Sequence, residues 1–346
     1  MKTFKQNYLI HILLLILASS ILFISTTSAC NAIDKEALLE FKSKIEYDSS
    51  GQLKTWDPKT DCCTSWNNVK CDNKTGRVVK LSPFRPSNPM DLDISIFVNG
   101  TLSPFLGNLT SLQELDLAHF QQYYLDSPGQ LSQLTYLSIA QNILTGSIPT
   151  SLANLHKLQT FNPSYNRLSG TIPSSLFQSM KSLKNLYLQQ NKFTGLIPSS
   201  IGKLVSLESL ELNNNSFSGE IPSSIVKLVS LDTLYLHDNS FSGEIPTTIG
   251  TLKKLNYINL SSNKFTGKIP NSLGQLSKLY VLNLENNKLS GSIPANVLNL
   301  KSLVNIDVSM NQLSGKIPPH KSDFPASSFM GNPGLCDAPL PPCKSS

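Results

Sequence analysis

The sequence predicts an α/β solenoid with a parallel sheet on its concave face and a disulfide-bonded cap at each end. Three observations carry this. Leu204, Leu228, Leu252, Leu276 and Leu300 stand at a constant step of 24 residues (204 to 228, 228 to 252), and the letters between them recur as LxxLxxLxLxxNxFSGxIPxxIxxL. A fixed period of this size marks stacked units, each too small to bury its apolar face without a neighbour. Within each unit the LxL phrase alternates as a half-buried strand does, so that Leu234 and Leu236 face inward while Tyr235 and His237 face outward. Finally, all six cysteines fall at the ends: Cys30, Cys62, Cys63 and Cys71, then Cys336 and Cys343. The ends are where a solenoid must cover its terminal coils.

The repeated columns read as scaffold. The Asn column (Asn142, Asn166, Asn191, Asn215, Asn239, Asn263, Asn287 and Asn311) offers an amide that can satisfy backbone groups of adjacent coils. The Gly column from Gly146 to Gly315 fits a bend that disfavours a Cβ, and the Pro column after it marks chain outside a ladder.

Taken in order, the chain opens on Lys2 and Lys5, an apolar run from Leu9 to Ile24, and the small residues Thr27-Ser28-Ala29. This reads as a secretory signal over residues 1–29, with cleavage before Cys30. The run is shorter than the roughly 20 residues of a spanning helix. No second such run follows, so no transmembrane helix or lipid anchor is expected. The cysteines agree with an oxidising compartment. The four N-terminal ones allow three connectivities; a vicinal Cys62–Cys63 bridge would be strained, and the other two pairings stay open. Cys336 and Cys343 most simply pair with each other.

Residues 30–76 form the N-terminal cap. A helix is predicted over 32–47, with Asp34 as its N-cap and Ala37, Leu38, Phe41 and Ile45 as its apolar face. Trp56 and Trp66 follow within the cysteine cluster. The solenoid spans 77–318 in about ten units. It begins at Val78, passes a Pro-rich stretch from Ser82 to Asn99, and resumes at Leu109 in a unit where Phe120 replaces Asn and Tyr124 replaces Gly. Pro163 sits at an inward strand position, where a missing donor predicts a bulge or interruption. Residues 319–346 form the C-terminal cap.

Function is expected on the concave face, where the letters fail to repeat. Tyr recurs there and acids cluster, and the predicted protein-binding set is Tyr187, Glu208, Glu211, Asp232, Tyr235, His237, Tyr257 and Tyr280, with Asp238 beside them. Tyr is enriched at binding surfaces and an acidic patch speeds encounter with a basic partner. Lys203, Lys227, Lys253, Lys278 and Lys301 fall in the segment before each strand, so the net charge of +6 conceals an acidic face. With no Lys/Arg run, nucleic acid is not an expected partner. The histidines are dispersed, no HExxH, paired CxxC or nucleophile elbow occurs, and acid pairs such as Glu208 and Glu211 lie on an open face rather than in a desolvated cleft. No catalytic residue, cofactor or metal is expected. Five N-x-S/T sequons, at Asn73, Asn99, Asn108, Asn214 and Asn259, are expected glycosylation sites.

The segments CNAIDKEALLEFK, LKTW and TDCCTSWNNVKCD, the GxIP phrase and the ending FMGNPGLCDAPLPPC together resemble plant extracellular leucine-rich-repeat proteins. These include polygalacturonase-inhibiting proteins and the ectodomains of receptor-like proteins and kinases. The resemblance covers Cys30 to Cys343. It implies a right-handed superhelix, secretion to the apoplast or cell wall, and bridges Cys30–Cys62, Cys63–Cys71 and Cys336–Cys343. It also implies a protein partner, either a secreted hydrolase or a receptor-kinase ectodomain. The leading expectation is defence-related inhibition of a cell-wall-degrading enzyme such as polygalacturonase, by surface occlusion. Two departures are visible: those inhibitors carry a second cysteine pair at the C-terminal cap, and their repeats are less uniform. The alternative is a soluble receptor-like protein in a membrane receptor-kinase complex. A third reading is ice binding, because a Ser/Thr column runs from Thr145 to Ser314 and a plant antifreeze protein is a relative of this family.

Overall fold

The computed structural model describes residues 29–84, 98–100, 103–121 and 130–343. The signal segment through residue 28, most of the Pro-rich stretch after Ser82, and Tyr124 lie outside the described residues.

The cap opens with helix α1 (Ala32–Ser43). Its N-cap is Asn31, whose side chain accepts from Ile33 N and Asp34 N, correcting the assignment to Asp34. Asp34 is instead fully buried within the first turn. It accepts from Val78 N (2.7 Å) and pairs with Arg77 (2.8 Å), tying the helix to the first solenoid strand. The helix also ends earlier than its apolar periodicity predicts. Ile45–Asp48 turns into a strand paired antiparallel with Val98–Gly100. Beneath α1, Trp56 stacks on Trp66 at 5.2 Å, and Phe41 touches Trp56 and Phe84 at 6.2 and 6.1 Å. Disulfides join Cys30 to Cys62, Cys63 to Cys71 and Cys336 to Cys343.

Among the described residues, eleven strands form the concave sheet. They are β1 (Val69–Cys71), β2 (Val78–Leu81), β3 (Glu114–Asp116), β4 (Tyr136–Ser138), β5 (Thr160–Asn162), β6 (Asn185–Tyr187), β7 (Ser209–Glu211), β8 (Thr233–Tyr235), β9 (Tyr257–Asn259), β10 (Val281–Asn283) and β11 (Asn305–Asp307). β1, from the cap, pairs antiparallel with β2. Every later neighbour is parallel and one coil on, as a solenoid requires. The central residue of each repeat strand is buried and its flanks face out. Pro163 follows β5 without breaking the sheet. It shortens the β5–β6 ladder to Thr160–Asn185 and Phe161–Leu186, where β6–β7 holds three pairs. The interruption predicted there is one lost pair, because only the missing N–H is affected. The carbonyl of Pro163 still accepts from Asn166 and Asn191 Nδ2 (3.1 and 3.0 Å).

After each of β4 to β9 the chain turns through the Asn position, runs along a second, six-stranded parallel sheet, and closes through short helical turns such as Ser199–Lys203. Asn239 shows what the turn needs. Its Nδ2 donates to Leu212 O of the preceding coil (3.0 Å) and to Leu236 O and His237 O of its own (3.1 and 3.2 Å). Its Oδ1 accepts from Phe217 N (2.9 Å). The residue before each Asn, and His119 before Phe120, is left-handed without being glycine: His119, Gln141, Tyr165, Gln190, Asn214, Asp238, Ser262, Asn286 and Met310 have φ between 51 and 65°. The Gly column has φ from 75 to 90°, which explains its identity. Behind these turns Phe193, Phe217, Phe241 and Phe265 stack at 6.0–6.3 Å as a fully buried spine. The C-terminal cap extends the same device. Asn332 Oδ1 accepts from Leu313 N (3.0 Å), its Nδ2 donates to Val308 O (3.0 Å), and Gly334–Cys336 adds a parallel strand.

Replacing Asn239 by Ala orphans buried backbone groups on two coils. Each unsatisfied group costs about 1–3 kcal/mol, so the variant should lose about 2–4 kcal/mol in denaturant unfolding, while Ser242→Ala should change stability by less than about 0.5 kcal/mol. A loss below about 1 kcal/mol for Asn239→Ala would show that the amide does not carry the coil–coil junction.

Candidate functional site

The parallel register sorts the outward residues of the concave face into rows. The middle row runs Tyr187, Glu211, Tyr235, Asn259, Asn283, Asp307. The row before it runs Asn185, Ser209, Thr233, Tyr257, Val281, Asn305. Two residues further along each strand a third row carries Gln189, Asn213, His237, Ser261, Glu285 and Ser309. The edge holds Lys184, Glu208, Asp232, Asn256, Tyr280 and Val304, because residues there share a carbonyl with the strand residue that follows. Glu208 N and Ser209 N, for instance, both donate to Lys184 O (2.7 and 3.0 Å).

The predicted site residues therefore separate into groups. Tyr187, Glu211 and Tyr235 are lateral neighbours in one row, all half-buried. His237 joins them, its ring edge-on to Tyr235 at 5.9 Å. Glu208 and Asp232 stand on the edge beside them, Glu208 exposed and Asp232 accepting from Thr233 Oγ1 (3.0 Å). Tyr257 belongs to a different row from Tyr235. It packs edge-on against Tyr280 at 6.0 Å, in a second cluster with exposed Val304 beside it. Asp238 is exposed at the left-handed position of its turn. The lysines at 203, 227, 253, 278 and 301 are exposed in the closing segments, off this face.

Burial tunes these groups. It pushes the Glu211 carboxyl above its ordinary range, against a hydrogen bond from Ser209 Oγ (3.3 Å). Burial, with the nearby Glu211 charge, raises the Tyr187 and Tyr235 hydroxyls. Burial lowers His237 below the usual imidazole range, offset by Asp238.

Along most of the face the middle and third rows satisfy one another. Asn162 Oδ1 accepts from Ser164 N and Oγ (3.1 and 2.6 Å), and Asn259 Oδ1 from Ser261 N and Oγ (3.1 and 2.8 Å). Asn283 accepts from Glu285 N, and Asp307 from Ser309 N. The coils of β6, β7 and β8 abandon this pairing. There Gln189 Oε1, Asn213 Oδ1 and His237 Nδ1 are buried with no hydrogen-bond partner. Sequence reading passed over Gln189 and Asn213 because both look like ordinary polar outward residues. The available signal was the loss of the Asn-x-Ser phrase on three consecutive coils.

A family model for the leucine rich repeat N-terminal domain matches residues 31–72, and leucine rich repeat models match 133–155 and the windows 164–217, 181–241 and 229–289. Phytosulfokine receptor 1 of Arabidopsis thaliana is 32% identical over 152 residues, 44% of this chain and 12% of its own. Receptor-like protein EIX1 of Solanum lycopersicum is 32% identical over 165 residues, 43% of this chain and 16% of its own. The chain is a plant-type extracellular leucine-rich-repeat protein. It is related to receptor-like protein and receptor-kinase ectodomains, and it spans less than a fifth of the length of these two curated relatives.

Solved structures agree. The ectodomain of the receptor kinase GASSHO1/SCHENGEN3 from Arabidopsis thaliana, in complex with CASPARIAN STRIP INTEGRITY FACTOR 2, shares 36% identity at TM-score 0.65, over 71% of this chain and 32% of that one. A plant ice-binding protein shares 26% identity at TM-score 0.74, over 92% of this chain and all of that one. The Arabidopsis receptor kinase HAESA, in complex with the peptide hormone IDA and the co-receptor SERK1, shares 29% identity at TM-score 0.57, over 83% and 55%. No helix among the described residues is long and apolar enough to cross a membrane.

The lowered His237 gives this leucine-rich-repeat protein a pH signature. The unfolded imidazole titrates near about 6.5, and the native ring titrates lower, so the unfolded chain binds more protons between the two values. Stability then rises with pH in that window and falls on acidification through it. Unfolding midpoints should drop from pH 7.5 to 6.0, and His237→Gln should show a shallower drop. Equal slopes for both proteins would remove His237 as the source.

Proposed function

We propose that this chain is an apoplastic recognition module that binds an extended segment of a protein or peptide along its concave sheet, without catalysis. The observation that carries the reading is the break in self-satisfaction on β6, β7 and β8. Three buried polar atoms without partners, two of them amide oxygens, lie beside two tyrosines and a carboxylate. Unsatisfied buried polar atoms are costly, and a ligand that satisfies them recovers that cost. The HAESA structure, with a peptide hormone and a co-receptor, supports the same use of a related ectodomain.

Two finer readings share this face. Membership of a receptor-kinase complex is supported by the receptor proteins among its relatives. Inhibition of a polygalacturonase by occlusion rests on the resemblance of the two caps alone. The receptor reading predicts that the full chain captures a receptor-kinase ectodomain from apoplastic fluid and leaves a panel of polygalacturonases active. Tyr187→Ala with Tyr235→Ala should weaken that capture by about 100-fold, since a buried aromatic anchor commonly contributes more than 1–2 kcal/mol. Capture unchanged by the double variant would remove the concave centre, and inhibition of a polygalacturonase would restore the other reading.

Ice binding is favoured by one observation, the full-length likeness to a plant ice-binding protein. The Ser/Thr column does run along the second sheet. It is flanked by the exposed side chains of Lys192, Lys264, Glu220, Glu244 and Lys268, whose charges hold their own hydration. We place this reading second; thermal hysteresis of the purified chain separates the two.

Glycans are proposed at Asn73, Asn99 and Asn108, which are exposed, and at the half-buried Asn214 of the rim. Asn259 ends strand β9 on the concave face, its Oδ1 accepting from Ser261 N and Oγ. Peptide mass mapping should find Asn259 bare and the exposed three occupied; a glycan on Asn259 would set a bulky group beside Tyr235 and count against that part of the face as a docking surface.

A further inference from the structure

This inference rests on the concave-face reading and deepens it. We propose that the β6–β8 coils form a subsite for an arginine side chain of an extended polypeptide ligand. Glu211 is its counter-ion, Tyr187 and Tyr235 are its walls, and Gln189, Asn213 and His237 accept its remaining N–H groups.

The placement comes from register. Tyr187, Glu211 and Tyr235 are consecutive partners across the sheet, so the carboxylate stands on the strand between the two rings. Two strand spacings, about 9.6 Å, separate the tyrosine backbones, which leaves room for a flat group above Glu211. Among the described residues the carboxylate receives one hydrogen bond, from Ser209.

The third row supplies the chemistry that selects the ligand. Gln189, Asn213 and His237 follow their middle-row neighbours by two residues and share the outward side. The coils are locked together there by Gln190 N to Asn213 O and Asn214 N to His237 O, both 3.0 Å. Each side chain ends in a buried atom without a partner, and Asn213 is 8% exposed. The two amide oxygens accept only, and His237 Nδ1 accepts in the tautomer that places the proton on Nε2. The missing partner is therefore a donor. It also carries positive charge, because the three acids Glu208, Glu211 and Asp232 outweigh the single Lys184 on the edge of these coils. Phosphate and carboxylate groups are excluded by the same charges. Guanidinium alone among side chains combines permanent charge, five N–H donors, no acceptor and a flat face that stacks on aromatic rings. A lysine ammonium brings the charge with three donors and no plane.

The ligand is read as polypeptide because the groove continues. One coil beyond Tyr235 stands Tyr257, then Tyr280 and Val281, then Val304, which is 52% exposed. Four strand spacings from β7 to β11 cover about 19 Å, close to six residues of extended chain. Apolar residues next to the arginine would lie over this second cluster.

The test uses the full secreted chain and a displayed library of random dodecapeptides. Selected peptides should be enriched in Arg over Lys and should lose binding on Tyr187→Ala with Tyr235→Ala. The strongest peptide is then synthesised with Arg, Lys or the neutral isostere citrulline at the enriched position and titrated calorimetrically. Wild type should bind the Lys peptide about 5- to 10-fold and the citrulline peptide about 30-fold or more below the Arg peptide. On Glu211→Gln, an isosteric change whose folding is checked by its melting temperature, Arg and citrulline should bind within about 3-fold of each other. Asn213→Ala provides a second variant, expected to weaken the Arg peptide by about 5- to 10-fold. Peptides that need the two tyrosines but no cation would overturn the subsite and leave the concave-face reading standing, as would an Arg–citrulline ratio unchanged by Glu211→Gln. Selection of no peptide dependent on the two tyrosines would overturn both.

Discussion

Where each coil leaves the concave sheet, its backbone turns away from every strand that could pair with it, and the groups exposed there must be satisfied inside a close-packed solenoid. The buried Asn amide answers this constraint. One side chain donates to carbonyls on two coils and accepts an N–H from the coil before it, so each Asn closes its own turn and fastens its neighbour's. The geometry has a local requirement, which the left-handed residue before each Asn meets. That position tolerates His, Gln, Tyr, Ser, Asp, Asn and Met. The coil-to-coil hydrogen bonds stabilise a conformation that such side chains seldom adopt unaided. Sheet register and the stacked Phe spine both follow from turns held in this way.

Because the junction is carried by backbone geometry, Asn and apolar columns, the outward residues of the sheet are free to vary without loss of register. Charge can then be segregated. The chain carries a net charge of +6, yet Glu208, Glu211 and Asp232 gather on the sheet while Lys203, Lys227, Lys253, Lys278 and Lys301 occupy the closing segments. Partial burial makes this segregation matter more than a count of charges would, since a half-buried carboxylate between tyrosine rings is less screened than an exposed one.

Much of this was legible in the sequence because repetition averages out local ambiguity: the strands, the inward Leu pairs, the Gly bend and the inter-coil Asn all follow from one phrase. The cap had no such redundancy. Asn31 and Asp34 are both good N-caps by type, and only Arg77, which claims the buried Asp34, decides between them. Ile45 fits a helical face, yet the strand Val98–Gly100 captures it. Pro163 looked disruptive because a proline removes a donor, but each coil is held by many bonds and one is expendable. Asn332 hid in the C-terminal cap because no Leu phrase precedes it, although it performs the same task as its repeat counterparts.

The site was legible only in part, for a related reason. Tyr and acid residues announce themselves by type, whereas Gln189 and Asn213 matter through what they lack. On the flanking coils the same two positions hold Asn-x-Ser or Asp-x-Ser, in which the first side chain accepts from the second residue. Such a face is complete by itself and presents few unmet groups to a partner. Exchanging that phrase for Tyr-x-Gln, Glu-x-Asn and Tyr-x-His gives up self-satisfaction on three adjacent coils. A fold stabilised by so many repeated junctions can carry that local cost, since the coils on either side remain intact. The cost is recovered when donors arrive from outside. On the proposed reading, the departures from the repeat, rather than the repeat itself, therefore mark where a partner gains most by binding.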